Sequence, residues 1–407
     1  MNRRTFLQRT SLLPVAVGVA GCEAPDNGGN DRNESRSDDE PGATDDDEPA
    51  GTPVIPRIDD PPDAVYLPGH RKSMRVLEPI ETGDYAVAPM LTYPHPFWVV
   101  TGTDTQLVEP EAGRGVHLMV TVWDPKTKTV IPVDIGPRAT IERDGDRIAS
   151  RSLWPMLSQE MGVHFGDNVV LPADGRYTVT LTVGPIPTRR TGTLKDRLTD
   201  RATATFEFTY DEQFRQNVVD GIELLERERW GERGALEPML GHSGESHNDS
   251  GDSTAGIPYS ALPSAEGYPG THLIDPNAES DISSGEVRPS SGDATVVATL
   301  LEAGSRLSGD DERYLLVSPR TPYNRVPLAN MTLRATVDRT GTSILDRTLE
   351  PTLDDEFGFH YGRSVAAVQP GDSVTIIVES PPQTARHQGY ETAFFDANSI
   401  ELVVSGA

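Results

Sequence analysis

A repeat constrains the fold of this chain more than any other feature. Gly162-Val163-His164-Phe165-Gly166 returns 196 positions later as Gly358-Phe359-His360-Tyr361-Gly362. At the same offset Pro155 matches Pro351, Val169 matches Val365, Gly175 matches Gly371 and Pro185 matches Pro381. A chain duplicated over this length folds as two copies of one unit. The strand that follows the repeat alternates on Tyr177, Val179, Leu181 and Val183 in the first copy but on Val374, Ile376 and Val378 in the second. Because side chains on a strand change face at every residue, the copies differ there by one residue of register. The repeat therefore argues more strongly for a shared fold than for a shared site.

Both copies consist of short apolar runs separated by Gly, Pro and Asp, several with period two. That is the pattern of half-buried antiparallel strands. Residues 62–210 and 294–407 are each expected to form a β-sandwich of immunoglobulin-like type. Between them, Phe214, Val218, Ile222 and Leu225 recur at helical spacing, which predicts one amphipathic helix within 211–230. The polar, Ser- and Gly-rich stretch that follows, up to 293, reads as a partly disordered linker. The fold class expected is all-β, with two immunoglobulin-like sandwiches joined by a helix and a linker.

The N-terminus carries Arg3-Arg4-Thr5-Phe6-Leu7, an apolar stretch from Leu12 to Ala20, and Val19-Ala20-Gly21-Cys22. This order is that of a twin-arginine signal ending in a lipobox over residues 1–22, with Cys22 placed to receive lipid. Residues 23–61 are acidic and nearly devoid of large apolar side chains, so they read as a solvated tether. The expected location is the outer face of the cell membrane. Cys22 is the sole cysteine, which leaves no thiol for disulfides or metal. There are 63 acidic residues against 36 basic, a net charge of -27, and lysine stands only at Lys72, Lys126, Lys128 and Lys195. A spread acidic excess of this kind suits a salt-loving archaeon and makes nucleic acid an unfavourable partner.

Pro155-Met156, Gly162-Val163-His164-Phe165-Gly166-Asp167-Asn168 and the strand Arg176 to Val183 resemble the periplasmic iron-transport protein family. Its members are small immunoglobulin-like proteins that bind copper or iron and accompany a membrane iron permease. The resemblance implies metal ligands at Met156 and His164. It also places the family's late Arg-His on Arg386-His387, where the first copy has Arg190-Thr191. In the second copy the central histidine is His360, while the methionine position holds Thr352. The family's His-x-Glu pair is absent from Tyr85 to Met90. His95 is close enough in sequence to substitute, as is the pair His70 and Met74, which would share a face if that stretch were a helical turn.

Imidazole and thioether donors suit copper, and imidazole also serves iron. The expected cargo is thus an iron or copper ion, and Met156 and His164 could be completed by His387 from the other copy, as in a site formed between protomers. The expected partners are the membrane, a metal permease and, where such a site forms between chains, a second copy of the protein. For His164 and His360 the alternative is an imidazole packed beside its glycines and bonded to backbone. His117 and His272 stand alone in the sequence and carry no assignment. The chain lacks G-x-S-x-G, a P-loop, G-x-G-x-x-G after a strand and H-E-x-x-H, so it reads as a binding protein, not an enzyme. The competing function is a surface module whose duplicated sandwiches present loops to another protein.

Overall fold

The computed structural model describes residues 57–240, 256–276, 290–291, 293–396 and 398–405. Cys22, the expected signal and the expected tether up to residue 56 lie outside them, as do His242 and His247 of the expected linker. In chain order the first half contains β1 (His70–Arg71), β2 (Arg75–Val76), β3 (Ile80–Thr82), β4 (Tyr85–Thr92), β5 (Phe97–Thr101), β6 (Asp104–Val108), β7 (Gly115–Trp123), β8 (Arg138–Arg143), β9 (Asp146–Ser152), β10 (Trp154–Ser158), β11 (Gly162–Val170), β12 (Gly175–Val183), β13 (Arg189–Arg190) and β14 (Ala202–Tyr210). Helix α1 (Glu212–Asp220) and β15 (Glu223–Leu224) follow. The second half contains β16 (Thr271–His272), β17 (Ser290–Ser291), β18 (Ala294–Leu301), β19 (Glu312–Arg320), β20 (Thr332–Arg339), β21 (Thr342–Thr348), β22 (Glu350–Asp354), β23 (Gly358–Ala366), β24 (Ser373–Ser380), β25 (Ala385–Arg386) and β26 (Ile400–Val403).

The fold is all-β, with a larger and a smaller sheet in each half. In the first half β14-β12-β8-β9 faces β2-β4-β7-β11-β10-β25-β5-β6, with β3 on β4. Tyr177, Val179, Leu181 and Val183 from the smaller sheet join Val87, Leu118, Val120 and Phe165 from the larger in one core. In the second half β21-β20-β24-β26 faces β13-β22-β23-β19-β18-β16, with β17 on β18. Alternation works as expected, one face of each strand entering the core. The change of register is present: Leu181 stands opposite Ala139, whereas Ile376, one residue short of the repeat offset, stands opposite Ala335.

Two strands change partners between the halves. Strand β25 of the second half runs parallel to β10 of the first, with Met156 opposite Ala385 and Leu157 opposite Arg386. Strand β13 of the first half runs parallel to β22 of the second, with Arg189 opposite Thr352 and Arg190 opposite Leu353. The two pairings are related residue for residue by the repeat offset. Each half thus covers the open edge of β10 or β22 with a strand from the other, satisfying backbone groups that would otherwise be exposed. The symmetry is broken by the β5–β6 hairpin, which pairs onto β25 at Trp98–Arg386. Residues 302–311, at the matching place in the second half, contain no strand.

Three sequence expectations are corrected. Helix α1 ends at Gly221, so it covers half of 211–230; Asp211 caps it by accepting a bond from the Phe214 N–H at 2.8 Å, and Phe214 and Val218 are buried as expected. Ile222 and Leu225 leave the helix because β15 is captured by β1, and the Leu225 N–H donates to the Gly69 carbonyl. His70 and Met74 do not share a helical turn either: His70 lies in β1 and Met74 just before β2. Residues 256–276, read as linker, are well packed, with Ile257, Leu262 and Tyr268 buried. The polar composition of the linker concealed these apolar anchors. Among the described residues no helix is long and apolar enough to cross a membrane.

Candidate metal centre

The site is built on the face of the larger first-half sheet that points away from the sandwich core. On β11, Phe165 and Val169 enter the core, so His164, Gly166 and Asn168 share the opposite face. Register aligns them with neighbours on that face: His164 opposes Met156 of β10, Gly166 opposes Met119 of β7, and Asn168 opposes His117 of β7. Met156 and His164 are both fully buried. The β10–β11 turn needs Gly162, whose φ is +67° and whose Cα closely faces the Ser260 hydroxyl. Gly166 leaves the floor open: a Cβ there would lie 3.1 Å from His117 Nε2 and 3.2 Å from Met156 Sδ, so these two donor atoms face each other across it.

Two more imidazoles arrive from connections. His95 follows β4 in Tyr93-Pro94-His95-Pro96, and Asn168 holds it, its Oδ1 accepting from the His95 N–H at 3.3 Å and its Nδ2 donating to the His95 carbonyl at 2.9 Å. His387 follows β25, whose pairing continues as the His387 N–H donates to the Leu157 carbonyl at 3.0 Å. The preceding residue, Arg386, is wholly buried and donates to the carbonyls of Pro382, Tyr390 and Ala393, which fixes the loop.

The imidazoles converge. His387 Nε2 is 3.1 Å from His164 Nε2, and His387 Nδ1 is 3.2 Å from His95 Nε2. His95, His117 and His387 bring ligand atoms within 4.8 Å of one another, and no carboxylate belongs to that group among the described residues. Three rings are oriented by a bond on Nδ1: His95 to the Tyr93 carbonyl at 3.0 Å, His117 to Asn168 Oδ1 at 2.9 Å and His164 to the Gly162 carbonyl at 3.2 Å. Each acceptor takes the Nδ1 proton, which leaves an Nε2 lone pair directed inward. The Nε2 of His117 is buried without a partner.

Burial is the main cause that keeps these rings neutral. It lowers His117 to about 3 and His164 to about 4, and it holds His95 and His387 well below the ordinary histidine range, with the Lys72 charge acting in the same direction. Neutral imidazole is the form that binds metals. A neutral His387 carries one proton, yet it faces the lone pairs of both His95 and His164. Lys72 Nζ supplies a donor to its Nδ1 at 3.3 Å. Lone pairs outnumber protons in this cluster, and a cation resolves that imbalance.

The other expected ligands stand outside the four-histidine cluster, His70 and Met74 beside it and His360 in the other half. His70 and Met74 line a small cavity of about 30 Å³ together with Lys72, His95, Met119, Glu160 and His387. The His70 Nε2 is 3.3 Å from the Tyr93 hydroxyl, and its buried Nδ1 has no partner. His360 is in the other half: its Nδ1 bonds the Gly358 carbonyl at 3.1 Å and its Nε2 meets the Tyr314 hydroxyl at 3.4 Å. Around it Tyr314 of β19, Thr352 and Thr191 stand where the first half has His117, Met156 and His387. Thr191 instead donates to Asp354, which is held by Arg306. The second copy therefore holds an ion pair where the first gathers imidazoles.

His117 carried no assignment from sequence and stands within the histidine cluster. Its period-two spacing from Met119 within an apolar run was the available signal, but only the register of β7 against β11 brings it to Asn168. Lys72 was likewise recognisable only as one of four lysines.

Comparisons with known proteins bear on parts of the chain. Residues 266–403 match a domain of unknown function. No curated protein matches the chain. Among solved structures, a copper-bound variant of FetP from uropathogenic Escherichia coli is 19% identical, covering 34% of this chain and 97% of that one, with a TM-score of 0.26. The FetP structure described as isolated, from the same organism, is 20% identical, covering 34% and 96%, also with a TM-score of 0.26. MtrC from Shewanella baltica is 12% identical, covering 77% and 68%, with a TM-score of 0.18. Residues 137–216, the segment that supplies Met156, His164 and Asn168, match the Fe2+ transport protein family, the family that the Met156 and Gly162–Gly166 window resembles.

Proposed function

We propose that the protein is an extracytoplasmic, lipid-anchored carrier that captures a copper or iron ion and passes it to a membrane permease. The observation that carries this reading is the convergence of His95, His117, His164 and His387, three of them with Nδ1 tied down and Nε2 turned into the cluster. Met156, opposite His164, adds a thioether on the same face. Imidazole and thioether donors without a carboxylate favour copper over harder ions, and imidazole also accepts iron. The family matched by residues 137–216 supports iron as a cargo, and Cys22 would hold the carrier beside its membrane partner. Equilibrium dialysis of the folded protein against copper and iron tests the reading. Stoichiometric binding that is abolished by His117→Ala together with His387→Ala is expected, and unchanged binding in that variant would sink it.

A further inference from the structure

A cationic side chain is built into the wall of the histidine cluster: burial lowers the Lys72 ammonium to about 8, while Glu160 and Glu391 act in the opposite direction and leave it protonated at neutral pH. The Lys72 ammonium donates to His387 Nδ1 at 3.3 Å, so it sits on the ring that links His95 and His164. It belongs to a chain that uses lysine at only four positions. The surrounding charged groups are the Glu160 carboxylate, which accepts from the Lys72 N–H at 3.3 Å, the Arg71 guanidinium 4.0 Å from Glu160, Glu391, which is engaged by the Tyr66 hydroxyl, and buried Arg386 beside His387. None of the carboxylates is within hydrogen-bond reach of the four imidazoles among the described residues. The imidazoles and Met156 are neutral, and among the described residues the charged group in hydrogen-bond contact with the imidazoles is the Lys72 ammonium.

We propose that Lys72 determines metal specificity: its ammonium makes the His and Met site selective for a monovalent soft ion, copper in its reduced state, over divalent ions. This inference rests on the metal-carrier reading above. Repulsion between Lys72 and a bound ion scales with the charge of the ion. At separations of about 4–5 Å and an effective dielectric near 20, each added unit of charge weakens binding on the order of 100-fold or more. The ammonium also competes with any metal for the His387 Nδ1 lone pair, a cost that is the same for both charge classes. Soft thioether and imidazole donors favour the same ion that the charge favours.

The test compares Ag(I), a redox-inert monovalent probe, with Co(II) in the wild-type protein, in Lys72→Leu and in the charge-conserving Lys72→Arg. Competitive dialysis gives the affinities, and thermal melting of each metal-free variant verifies that it is folded. The wild type is expected to prefer Ag(I). Lys72→Leu is expected to raise Co(II) affinity on the order of 100-fold more than Ag(I) affinity, and Lys72→Arg to keep the wild-type ratio. An Ag(I) to Co(II) ratio unchanged in Lys72→Leu would overturn the role of Lys72 while leaving the carrier reading intact. Failure of the wild type to bind either ion would overturn both.

Discussion

The Nε2 atoms of His164 and His387 are 3.1 Å apart although 223 residues separate them in the chain. The parallel pairing of β10 with β25 makes this contact, because it sets His387 one residue beyond the Leu157–Arg386 register while His164 stands opposite Met156 on the same ladder. In the other half the same pairing sets Thr191 beside Asp354 and Arg306. One exchange of strands thus produces a cluster of ligands in one place and an ion pair in the other.

Asn168 orients two imidazoles without facing the ion, since its Oδ1 accepts from His117 Nδ1 and its amide brackets the His95 backbone. Replacing such a supporting group costs 10–100-fold in metal affinity. Asn168→Leu is expected to weaken copper binding by about that factor, measured by competitive dialysis, with full-length protein still folded by circular dichroism.

Arg386 is buried and donates to three carbonyls, and it fixes the loop that presents His387. Arg386→Met leaves those acceptors unsatisfied, at about 2–4 kcal/mol in total. Chemical denaturation is expected to register that loss, and metal affinity to fall with it because His387 is released. Full affinity in a destabilised variant would show that the loop is positioned by something else.

Asp354 is wholly buried. Burial alone would raise its carboxyl, but Arg306, Thr191 and the Phe357 and Glu356 amides outweigh it and hold the group at about 2. A depressed carboxyl contributes stability that is present above its ordinary value near 3.8 and is lost as pH falls toward 2. Arg306→Met leaves the buried charge unpaired. The expected cost is about 2–3 kcal/mol, below the full value for a buried pair because Arg306 is 36% exposed. Its acid-unfolding midpoint is expected to move to higher pH.

His360 is lowered to about 4, chiefly by burial, against the opposing bond to the Gly358 carbonyl. Its folded value lies below the ordinary 6.5, so protonation favours the unfolded chain. Its contribution is complete above pH 6.5 and diminishes as pH falls from there toward 4. Nuclear magnetic resonance of the metal-free protein is expected to find its ring neutral at pH 5. An apparent value near 6.5 would contradict the burial argument.

The proposed anchor has its own test. Cys22→Ser is expected to release the protein from the membrane fraction into the soluble one and to remove any incorporated lipid label. Retention of the variant on membranes would exclude Cys22 as the attachment point.

The sequence by itself determined the all-β class, about half of the strands, the duplication and even the one-residue change of register, because alternation and turn residues are local properties of a chain. It also identified His164, Met156 and His387 as candidates, through a short window that resembles a known family. The helix over 211–230 was overstated because β1 supplies hydrogen bonds that helical spacing does not encode. Likewise, Ile257, Leu262 and Tyr268 were hidden in a polar stretch whose average composition says nothing about single anchors. Only the tertiary structure brought His117 into the histidine cluster, set His360 in the other half beside Tyr314, and placed Lys72 against His387. Those outcomes depend on which strands lie side by side and in which register, and such long-range pairing is set by packing of the whole molecule, not by any local segment.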